Sequence, residues 1–329
     1  MLQYILRRII YIIPTLVVVS IISFFVIELP PGDFLTSMIT QMELQGEYLD
    51  PHEVEALKLR YGFDLPVHAR YIKWITGVLH GDFGYSFEWN RPVAELIWNR
   101  LGLTFVISLA TLLFSWFVSL PIGIYSATHQ YSLSDYTFTF LGFVGLGFPS
   151  FLVALVLLWA AYSLWGVNLG GLFSDQYIDA PWSWATIGDL IKHIWLPLVV
   201  LGLGSTAGGI RTMRANLLDE LRKPYVTTAR SKGLTEQRTV LKYPVRVAMI
   251  PFVSTIGWAL PGLVSGSTIV SLVLSLPTTG PLLLKALMSQ DMYLAGSFVF
   301  MLSVLTVIGT LISDILLGLV DPRIRFESL

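Results

Sequence analysis

Six apolar blocks dominate the hydropathy pattern of this chain. They run over Ile9–Leu29 and, with approximate ends, Leu103–Tyr125, Tyr136–Trp165, His193–Met213, Ala248–Leu276 and Leu294–Leu319. Each is long enough to cross the hydrocarbon of a bilayer as a helix rising 1.5 Å per residue. Prolines and glycines punctuate them. Pro14 sits in the first turns of block one, where a lost hydrogen bond is best tolerated, and Pro121 and Gly123 lie near the inner end of block two. Block three carries Gly142, Gly145, Gly147 and Pro149, a pattern that predicts close helix contact followed by a kink. Block four carries Gly202, Gly204, Gly208 and Gly209, and the small-xxx-small pair Gly204 and Gly208 is the expected packing seam. Block five contains Pro251, Pro261, Gly262, Ser265, Gly266 and Ser267. Pro277 and Gly280-Pro281 then end it, leaving a short apolar segment, Leu282–Met288.

The polar positions between the blocks fix a topology. Arg7 and Arg8 precede the first block, and Arg323 and Arg325 follow the last. Positive charge beside a span is retained on the cytoplasmic side, so both termini are expected inside, with six spans between them. The first block lacks a small-residue cleavage site and is expected to be a retained span. Residues 30–100 hold ten acids against six bases, the balance of a translocated segment. They open with Pro30-Pro31-Gly32-Asp33 and include an amphipathic candidate, Pro51–Tyr61. Their aromatics (Tyr71, Trp74, Phe83, Tyr85, Phe87, Trp89 and Trp98) are expected at headgroup level or in a small core of their own. The organisation expected is residues 1–30 as the N-terminus and first span, 31–100 as an external cap, and 101–329 as a five-helix core.

Composition agrees with a membrane protein: 54% of the 329 residues are hydrophobic and 13% charged, against roughly 25% charged in soluble domains. It also removes several chemistries. With no cysteine there is no disulfide, thiolate site or cysteine nucleophile, and the five histidines form no ligand-spaced pair, so no metal site is expected. The block-four glycines follow no strand and no Gly-Lys-Ser/Thr accompanies them, which argues against phosphate binding. An ion-coupled secondary transporter is the competing functional class. It calls for ionisable groups in mid-span, whereas Asp314 lies near the inner end of block six. An intramembrane enzyme needs a catalytic pair at one depth, and none falls so.

One stretch departs from the rest. Residues Arg211–Pro251 carry nine Lys or Arg against three acids, which places them inside. Pro224 is a helix start, and Tyr225–Leu234 can form a short helix with Val226, Ala229 and Gly233 on one face. Small side chains let another backbone come close, so this face reads as a docking surface. The plainer reading, a loop whose cations only anchor topology, is equally compatible with the pattern.

The run Tyr225-Val226-Thr227-Thr228-Ala229-Arg230-Ser231-Lys232-Gly233-Leu234, with Pro251 following, resembles the coupling-loop signature of ABC importer permeases of the dipeptide/oligopeptide family. Ile5-Leu6-Arg7-Arg8, Pro31-Gly32-Asp33, Tyr61-Gly62-Phe63-Asp64, Gly81-Asp82-Phe83-Gly84-Tyr85-Ser86, Asp291–Tyr293 and Asp321-Pro322-Arg323-Ile324-Arg325 match the same family in order. The family member most resembled is the first of two permease subunits. The resemblance implies an all-α, polytopic membrane protein of the ABC type I importer permease fold in a bacterial or archaeal cell (inner) membrane. It implies a second paralogous permease, two ATPase subunits and an extracytoplasmic solute-binding protein as partners, besides the bilayer and without nucleic acid. ATP and Mg would then belong to the ATPases, with no cofactor and no catalytic residue in this chain. The coupling helix implied is Tyr225, Val226, Thr228, Ala229, Arg230, Lys232, Gly233 and Leu234, within a coupling loop at about 214–247. The docking cap implied is Gly81, Asp82, Gly84, Tyr85 and Ser86. The expected translocation pathway runs near Ser265, Gly266, Ser267 and Ser271. Two departures, Val270-Ser271-Leu272 for a Val-Glu-Thr-like run and Pro277-Thr278-Thr279-Gly280 for Pro-Gly-x-Gly, leave an oligosaccharide as an alternative to a peptide, and nickel as a more remote one.

Overall fold

The computed structural model describes residues 2–28, 55, 65–86, 88–178, 180–256 and 268–320. Among them the regular structure is helical apart from one two-residue β-ladder. The helices are α1 (Leu2–Glu28), α2 (Val67–Leu79), α3 (Val93–Thr128), α4 (Leu133–Gly147), α5 (Ser150–Trp165) and α6 (Trp184–Leu221). After these come α7 (Pro224–Ser231), α8 (Glu236–Lys242), α9 (Pro244–Ala248), α10 (Thr268–Val273), α11 (Thr279–Met288) and α12 (Met292–Val320). Residues 250–256 are also helical. The ladder pairs β1 (Tyr85–Ser86) antiparallel with β2 (Arg91–Pro92).

Helices α3 and α6 extend well past the apolar blocks that predict them, to 36 and 38 residues. At 1.5 Å per residue they are about 54 and 57 Å long, longer than a bilayer is thick. Nothing at Arg100 or His193 stops a helix, so the polar flanks continue the same ladder. The cap and core expected to divide near residue 100 are therefore joined through one continuous helix. Phe117, Trp159 and Phe140 are 81%, 70% and 66% exposed, an apolar outer surface suited to lipid.

The seam between α3 and α6 organises the molecule. The Ser115 hydroxyl meets the Ser205 hydroxyl at 2.8 Å and donates to the Gly202 carbonyl at 3.4 Å. A Cβ on Gly209 would lie 2.6 Å from Ser119 Oγ, and one on Gly123 would lie 2.6 Å from Met213 Cβ. The paired residues advance together along both helices, so α3 and α6 run parallel. The expected seam residues Gly204 and Gly208 are not in it: a Cβ on either would meet nothing within 4 Å. Gly202 and Gly209, seven residues apart, face α3 instead. Their partner is a small-residue stripe of Ser108, Thr111, Ser115, Ser119, Gly123 and Ser126, all buried. Its spacings of three and four keep it on one helix face.

Parallel α3 and α6 require the chain between them to return across the molecule. That return is α4 and α5, which are bent by 99° where the expected kink falls. Pro149 caps α5 and lacks an N–H, while Phe148 takes an extended conformation (φ −98°, ψ 133°). A 15-residue and a 16-residue helix thus share one crossing. Helix α1 packs against α12, and α4 against α6. Of the six expected spans, α3, α6 and α12 are single helices of crossing length and α4–α5 form a bent pair. α1 is helical over 27 residues, and the fifth span runs partly through residues outside those described.

Candidate functional site

The two ends of the α3–α6 pair carry different chemistry. At the C-terminal end, α7 begins with Pro224 as a first-turn residue and ends at Gly233, whose φ of +78° suits a glycine after the last turn. The Gly233 N–H donates to the Arg230 carbonyl at 2.9 Å. Arg230 then reaches across to Glu236 with two charge-assisted bonds, Nε at 3.0 Å and Nη2 at 2.6 Å, strapping α7 to α8. That guanidinium holds the Glu236 carboxyl below the usual carboxylate range. Tyr225 Oη donates to Glu220 at 2.5 Å, and burial together with that carboxylate pushes the phenol up. Helix α7 packs against α8, and a core of Met213, Leu217, Val240, Val245, Ala248 and Phe252 joins α8 and α9 to the ends of α3 and α6.

This geometry corrects the sequence reading of the small-residue face. Val226 is 0% exposed and Ala229 6%, so both face the protein's own interior and neither can meet another chain. Gly233 lies beyond the helix and on its surface rather than completing that face. Alternation of small and polar residues marks a buried face and a docking face equally, and only the packing separates them. What α7 offers outward is Tyr225, Thr227, Thr228, Arg230 and Ser231, with Lys232 and Gly233 just after it.

At the opposite end, Gly81-Asp82-Phe83-Gly84-Tyr85-Ser86 forms a latch. Gly81 and Gly84 have φ of +82° and +85°, and the Gly84 N–H donates to Asp82 Oδ1 at 2.9 Å. Gly84 is required twice over, because a Cβ there would lie 2.7 Å from Tyr293 Cδ1. Ser86 is fully buried and donates to Asp291 Oδ2 at 2.5 Å. Asp291, also fully buried, further accepts from the N–H groups of Glu88 and Leu294, each at 3.2 Å. Trp74 Nε1 donates to Ser297 Oγ at 3.1 Å, and Ser297 donates to the Phe83 carbonyl at 3.2 Å. The motif therefore ties the 65–92 segment to α12, and Ser86 is corrected from a docking residue to a structural one. Gly81 and Asp82 stay exposed, and Gly84 and Tyr85 are half-buried. The expected aromatic core also divides: Trp74 packs with Phe24, Tyr71 and Phe300, while Trp98 is 60% exposed.

Beside the latch opens a vestibule of about 1020 Å³. Leu96, Asn99 and Arg100 from α3 line one side, and the loop Asn168–Phe173, the last residue of α10 (Val273) and the chain after it (Ser275, Pro277) line others. Its walls are braced by buried contacts. The Thr279 N–H donates to Thr104 Oγ1 at 3.0 Å, and the Gly171 N–H donates to the Leu274 carbonyl at 2.7 Å. Asp189 accepts from Ser174 N and Oγ at 2.7 and 2.8 Å. Ser271, expected on the pathway, is 2% exposed and does not line this space. Ser265, Gly266 and Ser267 lie outside the described residues, as do Pro51–Glu53, Tyr61–Asp64 and the C-terminal arginines. Sequence reasoning missed Arg100 and Asn99, which read only as the polar flank of a span.

A long parallel helix pair thus separates a strapped surface helix at one end from a latched vestibule at the other. The family model for the binding-protein-dependent transport system inner membrane component matches residues 119–326, and the model for its N-terminal region matches residues 1–110. This chain belongs to that family. Members are components of transport systems that depend on a binding protein. Similar proteins include the oligopeptide transport system permease protein AppB of Bacillus subtilis (strain 168), 34% identical over 99% of this chain and 100% of the relative. The dipeptide transport system permease protein DppB of Escherichia coli (strain K12) is 30% identical over the full length of both. The glutathione transport system permease protein GsiC of Salmonella paratyphi A (strain ATCC 9150 / SARB42) is 30% identical over 99% of this chain and 100% of the relative. The chain is thus a multi-pass membrane permease of a binding-protein-dependent system.

Proposed function

We propose that this chain is one permease subunit of an ATP-driven importer of short peptides. The observation that carries the substrate class is full-length similarity to permeases named for oligopeptides, dipeptides and glutathione. The oligosaccharide and nickel alternatives have no comparable support. A second, paralogous permease completes the conduit and two ATPase subunits drive it, because this sequence holds no Gly-Lys-Ser/Thr phosphate loop of its own. A solute-binding protein delivers the peptide to the vestibule end, and both termini of the chain lie in the cytoplasm. The α7 helix seats in an ATPase cleft through its outward residues Tyr225, Thr228, Lys232 and Gly233. Val226 and Ala229 anchor it from beneath. Closure of the ATPases on ATP moves α7, and α8, through the core it shares with α6 and α3, passes that motion to the seam, exposing the conduit alternately to each side.

Thr228 gives a clean test because its side chain is exposed and its one bond is local, to the Pro224 carbonyl at 3.0 Å. In the assembled transporter, Thr228→Trp is expected to reduce peptide uptake and binding-protein-stimulated ATP hydrolysis at least tenfold. Assembly of the two permeases and melting temperature should not change. Uptake at the wild-type rate would remove α7 from the coupling role.

A further inference from the structure

The vestibule is lined by charged and amide side chains, only some of which the fold engages. Among its charged lining residues, Arg91 is engaged by Glu95 at 3.6 Å. Arg100 and Asp175 also line it, and both are exposed. Among the described residues neither forms an ion pair. Elsewhere among the described residues, Arg214 pairs with Asp135, Arg230 with Glu236 and Lys285 with Glu88. The Asn99 amide adds donors and an acceptor to the same lining, and Asn168, whose Oδ1 accepts from the Gly170 N–H at 3.0 Å, adds the donors of its NH2 group. Arg100 and Asp175, neither ion-paired among the described residues, line a common space whose walls are braced by the Thr104, Gly171 and Asp189 contacts.

A site of this composition suits a ligand that is itself a zwitterion with polar groups between its charged ends. A neutral sugar would leave both charges unanswered, and a metal ion would be repelled by Arg100. We propose that the vestibule reads both ends of the incoming peptide, Arg100 receiving its terminal carboxylate and Asp175 its terminal ammonium. Guanidinium and carboxylate geometry match, which gives Arg100 the orienting role. Asn99 and Asn168 are placed to bond the peptide amides. The permease thereby makes its own check on peptide ends after the binding protein has released its cargo. This inference rests on the peptide reading above and adds the groups that recognise the peptide.

The test uses the complete transporter in proteoliposomes with its binding protein, and three probes: trialanine, trialanine amide and N-acetyl-trialanine. Each is supplied at a concentration that saturates the binding protein, so delivery is equal. Wild-type uptake of trialanine is expected to exceed that of either blocked peptide by about tenfold, the worth of one charge-assisted hydrogen bond. Arg100→Gln should bring trialanine down to the rate of the amide and leave the amide unchanged, while Arg100→Lys keeps most of the preference. Asp175→Asn should act likewise toward the N-acetyl peptide. Variants that slow all three probes in parallel, or none of them, would overturn the recognition role while leaving the peptide importer intact. A wild-type transporter that takes up none of the three sinks the peptide reading and this inference with it.

Discussion

At Asp291 one buried carboxylate closes the latch. It accepts from Ser86, Glu88 and Leu294, so it caps α12 and holds the external segment to that helix at once. Removing it leaves the Ser86 hydroxyl buried without its acceptor, whereas the Glu88 amide lies nearer the surface. Asp291→Ala is expected to lower stability by about 2–4 kcal/mol. Thermal melting of the detergent-solubilised complex, with protease cleavage between residues 65 and 92, measures it. Asp291→Asn, which retains an acceptor, should lose less. Arg230 and Glu236 illustrate the opposite case. Their side chains are 45% and 62% exposed, so their strap contributes at most about 1 kcal/mol and serves to position α7.

Among the elements, the α3–α6 pair shows what a membrane interface selects. Lipid tails are as apolar as leucine, so close approach of the backbones drives association. That argument separates two adjacent glycines. A Cβ on Gly209 would fall 2.8 Å from Ser119 Cβ, and one on Gly208 meets nothing. Gly209→Ala is therefore expected to destabilise the pair by about 1–3 kcal/mol. Gly208→Ala should be neutral or stabilising by up to about 1 kcal/mol, because alanine favours a helix over glycine. Paired melting curves of the two variants decide it, and equal losses would refute the assigned seam. The glycine count of block four was legible in the sequence. Which glycines face α3 was not, because rotation of a helix about its axis is set by its neighbour, and a small-xxx-small pair turned away from α3 looks the same in one dimension.

For the whole molecule, the parallel run of α3 and α6 places the vestibule and α7 at opposite ends, with the bent α4–α5 crossing between them. The native chain has no cysteine, so single introduced cysteines report sidedness cleanly. Ser231→Cys on α7 is expected to react with a membrane-impermeant maleimide only from the cytoplasmic side. Gln176→Cys beside the vestibule should react only from outside. Labelling of both from one side would contradict the orientation proposed.

The sequence alone determined the class of this protein and the apolar runs that become its long helices, and it singled out the basic stretch proposed as the coupling loop. Those follow from quantities that are local in sequence: apolar run length, charge beside each run, and motif residues in order. Tertiary structure decided what each motif residue does. It turned Val226 and Ala229 inward, gave Ser86 to Asp291, moved the seam from Gly204 and Gly208 to Gly202 and Gly209, and left Arg100 and Asp175 lining one space with no ion-pair partner among the described residues. Arg100 and Asp175 are 75 residues apart in the chain, and no local pattern joins them. They share a vestibule because α3 and the loop before α6 end at the same face, and that is a property of packing.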